Sequence, residues 1–167
     1  MVFKPRFSIV GWVSNILFTV VLAAVLVAVF SMYKKGDIGS LVALIIEMVL
    51  LAPILMASIF FLTTYPTMRY IIENGTLLLK CGPFKWTITI QSIKSIAEKD
   101  LKYLPYSEGW KLPGYALFKI RYGDVGAVKM CATALTKQVL LIETDSELYG
   151  ITPDNVDLFI SALKQEV

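Results

Sequence analysis

From Phe7 to Tyr33 the chain carries no charged side chain, and from Ile38 to Met68 it carries one, Glu47. At a rise of about 1.5 Å per residue, roughly 20 apolar residues cross a hydrocarbon core of about 30 Å. Each stretch is long enough to span a bilayer, so residues 1–65 are expected to form a two-helix transmembrane hairpin, with spans at about 9–32 and 41–64. A tight return over 33–40 joins them. The first apolar run is too long for the core of a secretory signal and is trailed by a second, so both are expected to stay in the protein. Trp12 and Tyr33 fall near opposite ends of the first span, where amphipathic rings favour the interface. Pro53 should loosen one turn of the second.

A hydrophobic content of 56% and a mean hydropathy of +0.67 exceed what a soluble domain of 167 residues carries, and the excess sits in the hairpin. From Pro66 onward, charges recur every few residues among β-branched and aromatic positions, with Gly and Pro between them; this stretch, 66–167, is the size of one small domain. The net charge of +3 is modest and its lysines are dispersed, which argues against nucleic acid and suits a weak preference for anionic lipid headgroups. There is no histidine, no cysteine pair at ligand spacing and no Gly-rich phosphate loop before a helix. The serines lack a partner, so no enzyme, metal or cofactor is expected. Cys81 and Cys131 lie inside separate strand-like runs; buried free thiols are expected there, with a disulfide left open, and a reducing compartment fits slightly better.

Asn74-Gly75 separates two strand-like runs and accepts the positive φ angles of a tight hairpin turn. Further runs follow at 84–90, 93–98, 115–122, 125–132, 138–144 and 148–151, punctuated by Gly82-Pro83, Gly123-Asp124 and Asp145-Ser146. They predict an antiparallel meander. The period then changes. Thr152 reads as an N-cap, Pro153 suits the first helical position, and Val156, Phe159, Ile160 and Leu163 form one apolar stripe, predicting a helix over 153–165. About seven short strands and a terminal helix suggest a small bent sheet or partly open barrel plugged by the helix.

Pro66-Thr67-Met68-Arg69-Tyr70 leading to Asn74-Gly75-Thr76-Leu77, Leu112-Pro113-Gly114-Tyr115, Gly123-Asp124-Val125-Gly126, Val139-Leu140-Leu141-Ile142-Glu143-Thr144 and Tyr149-Gly150-Ile151-Thr152-Pro153 resemble the membrane-anchored prokaryotic pleckstrin-homology (PH) domain proteins. The resemblance implies an α+β membrane protein: the hairpin, then a PH-like antiparallel split β-barrel capped by a C-terminal helix. It brings no chemistry, because the fold serves mainly as a binding platform. Eukaryotic PH domains hold phosphoinositides with basic residues around an open first hairpin loop. Here that loop is Asn74-Gly75, without lysine or arginine, so phosphoinositide recognition is not carried over.

Two features are candidates for contact. Glu47 within the second span is costly in lipid and should face a partner helix, a water-filled site or the interface. The long connection 99–114 carries Lys102, Tyr103, Tyr106, Trp110 and Lys111, an aromatic and basic mixture suited to a protein groove or a membrane surface. Its plain alternative is a loop that buries its aromatics over one barrel end. The function expected is a non-catalytic binding platform, a small accessory subunit of a larger membrane complex, with surface lipid binding as the alternative and an enzyme with an unrecognised carboxylate site as the third. The hairpin would add helix contacts through Gly11, Ala23, Ala24, Ala52, Ala57 and Ser58. Lys4, Arg6, Arg69, Lys80 and Lys85 flank one side of the hairpin and Lys34 and Lys35 the other; five against two favours cytoplasmic termini in the cell membrane.

Overall fold

The computed structural model describes residues 1–34, 36 and 41–166. Two compact units emerge: Met1–Trp12 together with Thr64–Val167, and Val13–Thr63. The second unit carries most of two helices, α1 (Ile9–Lys34) and α2 (Leu41–Thr64, with Pro53 inside), each long and apolar enough to cross a membrane. The return predicted between them rests on Lys35 and residues 37–40, which lie outside the described residues.

The first unit holds the β domain, and it recruits the N-terminus. Val2–Phe3 forms β1, which pairs with β2 (Arg69–Glu73) through Val2↔Ile71 and Phe3↔Tyr70. Farther on, Arg6 N–H donates to the Thr152 carbonyl at 2.7 Å and Asp154 N–H to the Lys4 carbonyl at 3.0 Å. The residues preceding the first apolar helix are thus built into the β domain, whereas the sequence reading placed them with the hairpin.

Asn74 at φ 50° and Gly75 at φ 68° make the tight turn from β2 into β3 (Thr76–Cys81), as their residue types demand. Gly82-Pro83 then turns the chain into β4 (Phe84–Thr89), completing a four-stranded sheet in the order β1-β2-β3-β4. The remaining strands form a six-stranded sheet ordered β5-β9-β10-β8-β7-β6: β5 (Ile93–Lys99), β6 (Trp110–Leu112), β7 (Tyr115–Tyr122), β8 (Gly126–Ala132), β9 (Val139–Thr144) and β10 (Leu148–Ile151).

The meander expected from sequence is not kept: β4 and β5 fall in different sheets, and β5 and β6 lie on opposite edges of the six-stranded one. The connection after β8 carries the chain past the neighbouring position to pair β9 with β5, and the tight turn after β9 returns β10 into the gap. There β10 lies parallel to β8.

Between the sheets, Tyr70, Ile72, Leu77, Leu79, Leu117, Leu140, Ile142 and Ile151 are buried, and α3 (Val156–Gln165) inserts Phe159 against the rings of Phe3 at 5.2 Å and Tyr70 at 6.2 Å. The other face of the six-stranded sheet has its own core of Ala116, Ile120, Tyr122, Val128, Met130 and Leu141, covered by Leu101. The N-cap of α3 is Asn155, whose Oδ1 accepts from Leu158 N–H at 3.0 Å; the helix starts later than predicted. Thr152 is instead fully used inside. Its hydroxyl accepts from Thr133 N–H at 2.9 Å and meets the Thr133 hydroxyl at 2.9 Å, while its own N–H donates to Tyr70 Oη at 3.3 Å.

The cysteines also differ from expectation. Cys81 at the end of β3 and Cys131 on β8 are fully buried and joined as a disulfide, with Cα atoms 6.1 Å apart, within the range that a disulfide spans. The two runs belong to different sheets that face one another, so strands distant in sequence bring the thiols together.

Candidate binding surface

The connection between β5 and β7 is fastened throughout. Asp100 Oδ1 accepts from Gln138 N–H at 2.7 Å, and Leu101, 5% exposed, donates its N–H to Thr136 O at 2.7 Å. Lys102 N–H donates to Asp124 Oδ1 at 3.1 Å and its carbonyl accepts from Gly123 N–H at 2.9 Å. Tyr103 bridges to Tyr122. Ser107 closes a turn onto the Leu104 carbonyl with both its N–H and its hydroxyl, at 3.2 and 2.9 Å. Gly109 at φ +90° passes where any Cβ would lie 2.7 Å from Ile120 Cγ1, a position only glycine can fill.

This fastening leaves a particular set of side chains outside. Tyr103 is 39% exposed, Leu104 41%, Trp110 43% and Tyr106 fully exposed. The expected alternative, in which the loop buries its aromatics, does not hold for Tyr103, Tyr106 or Trp110; the residue the loop buries is the aliphatic Leu101. Lys102 is exposed. Lys111, the other lysine of the aromatic and basic mixture, is turned inward: its ammonium donates to the Ser107 carbonyl and, at 3.1 Å, to the Ser107 hydroxyl, and stands 5.3 Å from the centre of the Tyr103 ring. Tyr106, Ser107 and Glu108 face Lys119, Arg121 and Ala127 across a cleft of about 200 Å³. The alternation that buries Ile120 and Tyr122 puts Lys119 and Arg121 on the outer face of β7.

Beside this loop lies an aromatic group that the sequence does not announce. Phe118 holds φ +69° in the middle of β7, unusual for a bulky side chain. Its ring sits edge-on to Phe84 at 4.8 Å, Trp110 at 5.9 Å and Trp86 at 6.3 Å. Each such pair contributes roughly 0.5–1.5 kcal/mol, enough together to offset a left-handed backbone cost of about 1–2 kcal/mol. No sequence signal marks a phenylalanine for positive φ. Lys129 continues the group, its ammonium 5.4 Å from the Trp86 ring and 5.6 Å from that of Tyr149, and pairs with Glu147 at 2.9 Å. Hydrogen bonds from Lys129 and Tyr149 lower the Glu147 carboxyl below its usual range. Burial, then the bond to Glu147, pushes Tyr149 up to about 12.

Glu47 lies in the second turn of α2, half-buried, and its Oε2 is buried without a hydrogen-bond partner among the described residues. Gly11, expected on a helix-to-helix face, instead abuts the turn between β6 and β7: a Cβ on it would lie 2.3 Å from Gly114 Cα. Among the described residues no three His, Cys, Asp or Glu side chains gather as a metal site.

Two apolar helices are followed by a β-rich domain with a terminal helix, and that domain presents an aromatic loop and a cationic strand face. Residues 68–167 match the family described as bacterial PH domain, and since the match spans more than half of the sequence, the chain belongs to that family. Domains of the PH class bind proteins or lipids and are in general non-catalytic. No curated protein and no solved structure matches the chain.

Proposed function

We propose that this protein is a non-catalytic module anchored in the cell membrane by its two apolar helices, and that the 99–114 connection docks a partner protein. The observation that carries this reading is Tyr106, fully exposed on a loop that is fastened on both sides of it. A preorganised aromatic costs little entropy to bury, and such residues dominate binding energy at protein interfaces. Leu104 and Tyr103 extend the apolar contact, Lys102, Lys119 and Arg121 supply charge at its edge, and Glu47 is available to a neighbouring helix. The arrangement suits a small accessory subunit of a larger membrane complex.

The test is the mass and composition of the particle released from native membranes by mild detergent. A larger particle with a constant partner, lost on Leu104→Ala/Tyr106→Ala while the domain stays folded, is the expected result. A wild-type chain that emerges alone and binds anionic vesicles in a salt-sensitive way would replace this reading with lipid binding.

A further inference from the structure

We infer that the β domain matures and works on the extracytoplasmic side of the membrane, so that the short connection carrying Lys34 and Lys35 is the cytoplasmic segment. The inference rests on the membrane anchoring proposed above but not on the identity of the partner.

Its support is the Cys81–Cys131 disulfide, buried between β3 and β8. Disulfides form and persist in oxidising compartments, and cytoplasmic thiol pools keep such pairs reduced. A regulatory cytoplasmic disulfide would need access to a thiolate, and both sulfurs here are sealed in the core. Forming the bond requires each thiol to give up its proton, and the pair to give up two electrons, to a disulfide-bearing thiol oxidase whose own disulfide becomes a dithiol. Oxidants of that class operate outside the cytoplasm.

The basic residues on the domain side oppose this placement less than their number suggests. Arg6 spends its guanidinium on Gln138 Oε1 at 2.6 Å and on the carbonyls of Gln138 and Lys137 at 3.1 and 3.3 Å. Arg69 donates to the carbonyls of Pro66 and Met68 at 2.8 and 2.6 Å. These bonds form in the folded domain and leave both arginines in the charge balance beside the spans. Lys80 and Lys85 belong to the hairpin of β3 and β4, inside a domain long enough to be translocated regardless of its charge. With these two set aside, Lys4, Arg6 and Arg69 stand against Lys34 and Lys35 on the short connection, three against two. So even a balance leaves the buried disulfide to decide the side. The surface around Tyr106 would accordingly meet an exported protein or the outward-facing part of a membrane protein.

The experiment uses the full chain in bacterial cells. Thiols are trapped with acid, blocked with N-ethylmaleimide in denaturant so that burial protects nothing, and then offered a polyethylene-glycol maleimide with and without prior reduction. In parallel the C-terminus is fused to alkaline phosphatase and, separately, to a fluorescent protein that matures only in the cytoplasm. The expected result is two maleimide adducts per chain after reduction and none without it, together with an active phosphatase and a dark fluorescent fusion. Thiols already blocked before reduction, or a silent phosphatase with a bright fluorescent fusion, would overturn the inference. Carbonate extraction of the same membranes keeps the anchoring separate: a chain that washes off fails as a membrane protein, whatever its thiol state.

Discussion

Substituting Gly11 by alanine sets two effects of opposite sign against each other. Gly11 lies in the first turn of α1, where Ser8 Oγ accepts its N–H at 3.2 Å, and on helix propensity alone alanine would be better there by roughly 0.5–1 kcal/mol. The added Cβ, however, would stand 2.3 Å from Gly114 Cα, 2.6 Å from Gly114 N and 2.7 Å from Pro113 O, all backbone atoms. Gly114 is itself held at φ +76°, with Gly11 Cα 2.7 Å from where its own Cβ would be, so neither side can yield by turning a side chain. Restoring ordinary contact requires the turn between β6 and β7 to retreat by about 1 Å, and overpacking of this kind costs about 1–3 kcal/mol. The steric cost wins, and Gly11→Ala should be destabilising by about 1–2 kcal/mol. For a domain of about 100 residues each kcal/mol moves Tm by roughly 4–8 °C. Near-ultraviolet circular dichroism of the full chain in mild detergent, followed through thermal unfolding, reads this directly. An unchanged or higher Tm for Gly11→Ala would refute the close approach of the two glycines.

Tyr70→Phe should cost about 2–4 kcal/mol in the same assay, because the hydroxyl that donates to Cys131 O at 2.7 Å and accepts from Thr152 N–H serves two buried backbone groups at once. Reducing the disulfide, which closes a separation of 50 residues, should lower stability by about 2–4 kcal/mol and should require denaturant for the reductant to reach the sulfurs. Burial pushes Tyr70 and Tyr122 above the ordinary tyrosine value and Tyr149 to about 12. The unfolded chain therefore loses these protons first, so stability should be intact below pH about 10 and fall as pH rises beyond it. Absorbance of phenolate during an alkaline titration should show fewer than all eight tyrosines ionising before the domain unfolds. At the acid end, Glu147 has a lowered carboxyl, so its contribution is present at neutral pH and lost as pH falls through the carboxylate range. Solvent still reaches this part-buried pair, which keeps the gap between wild type and Glu147→Gln to about 1 kcal/mol, and that gap should vanish in acid.

The sequence announced what is dictated locally. Asn74-Gly75 can hardly do anything but turn, and the 3.6-residue period of Phe159 and Leu163 marks α3 as a helix with a buried face. The helix start was misplaced because Thr152 and Asn155 are both good caps by residue type, and only the tertiary use of Thr152 by Thr133 and Tyr70 decides between them. β1 is two residues long and has no period to detect, so its pairing with β2 depends on contacts about 70 positions away. The parallel placement of β10 and the meeting of Cys81 with Cys131 are likewise properties of topology. At the candidate surface, Tyr103, Tyr106 and Trp110 could be picked out as unusual company for a long loop. That Lys111 would turn inward while Lys119 and Arg121 faced the cleft followed from the path of the loop, which no residue type specifies.

Because β1 covers the outer side of β2, a fragment beginning at residue 66 would expose a bare strand edge with Tyr70 and Ile72 in its alternating pattern. Such an edge is a template for pairing with another chain. The soluble piece that domain boundaries in the sequence suggest cutting out is therefore the piece prone to dimerise by strand exchange or to precipitate. A fragment in which residues 1–7 are rejoined to residue 64 by a flexible linker would keep the edge closed.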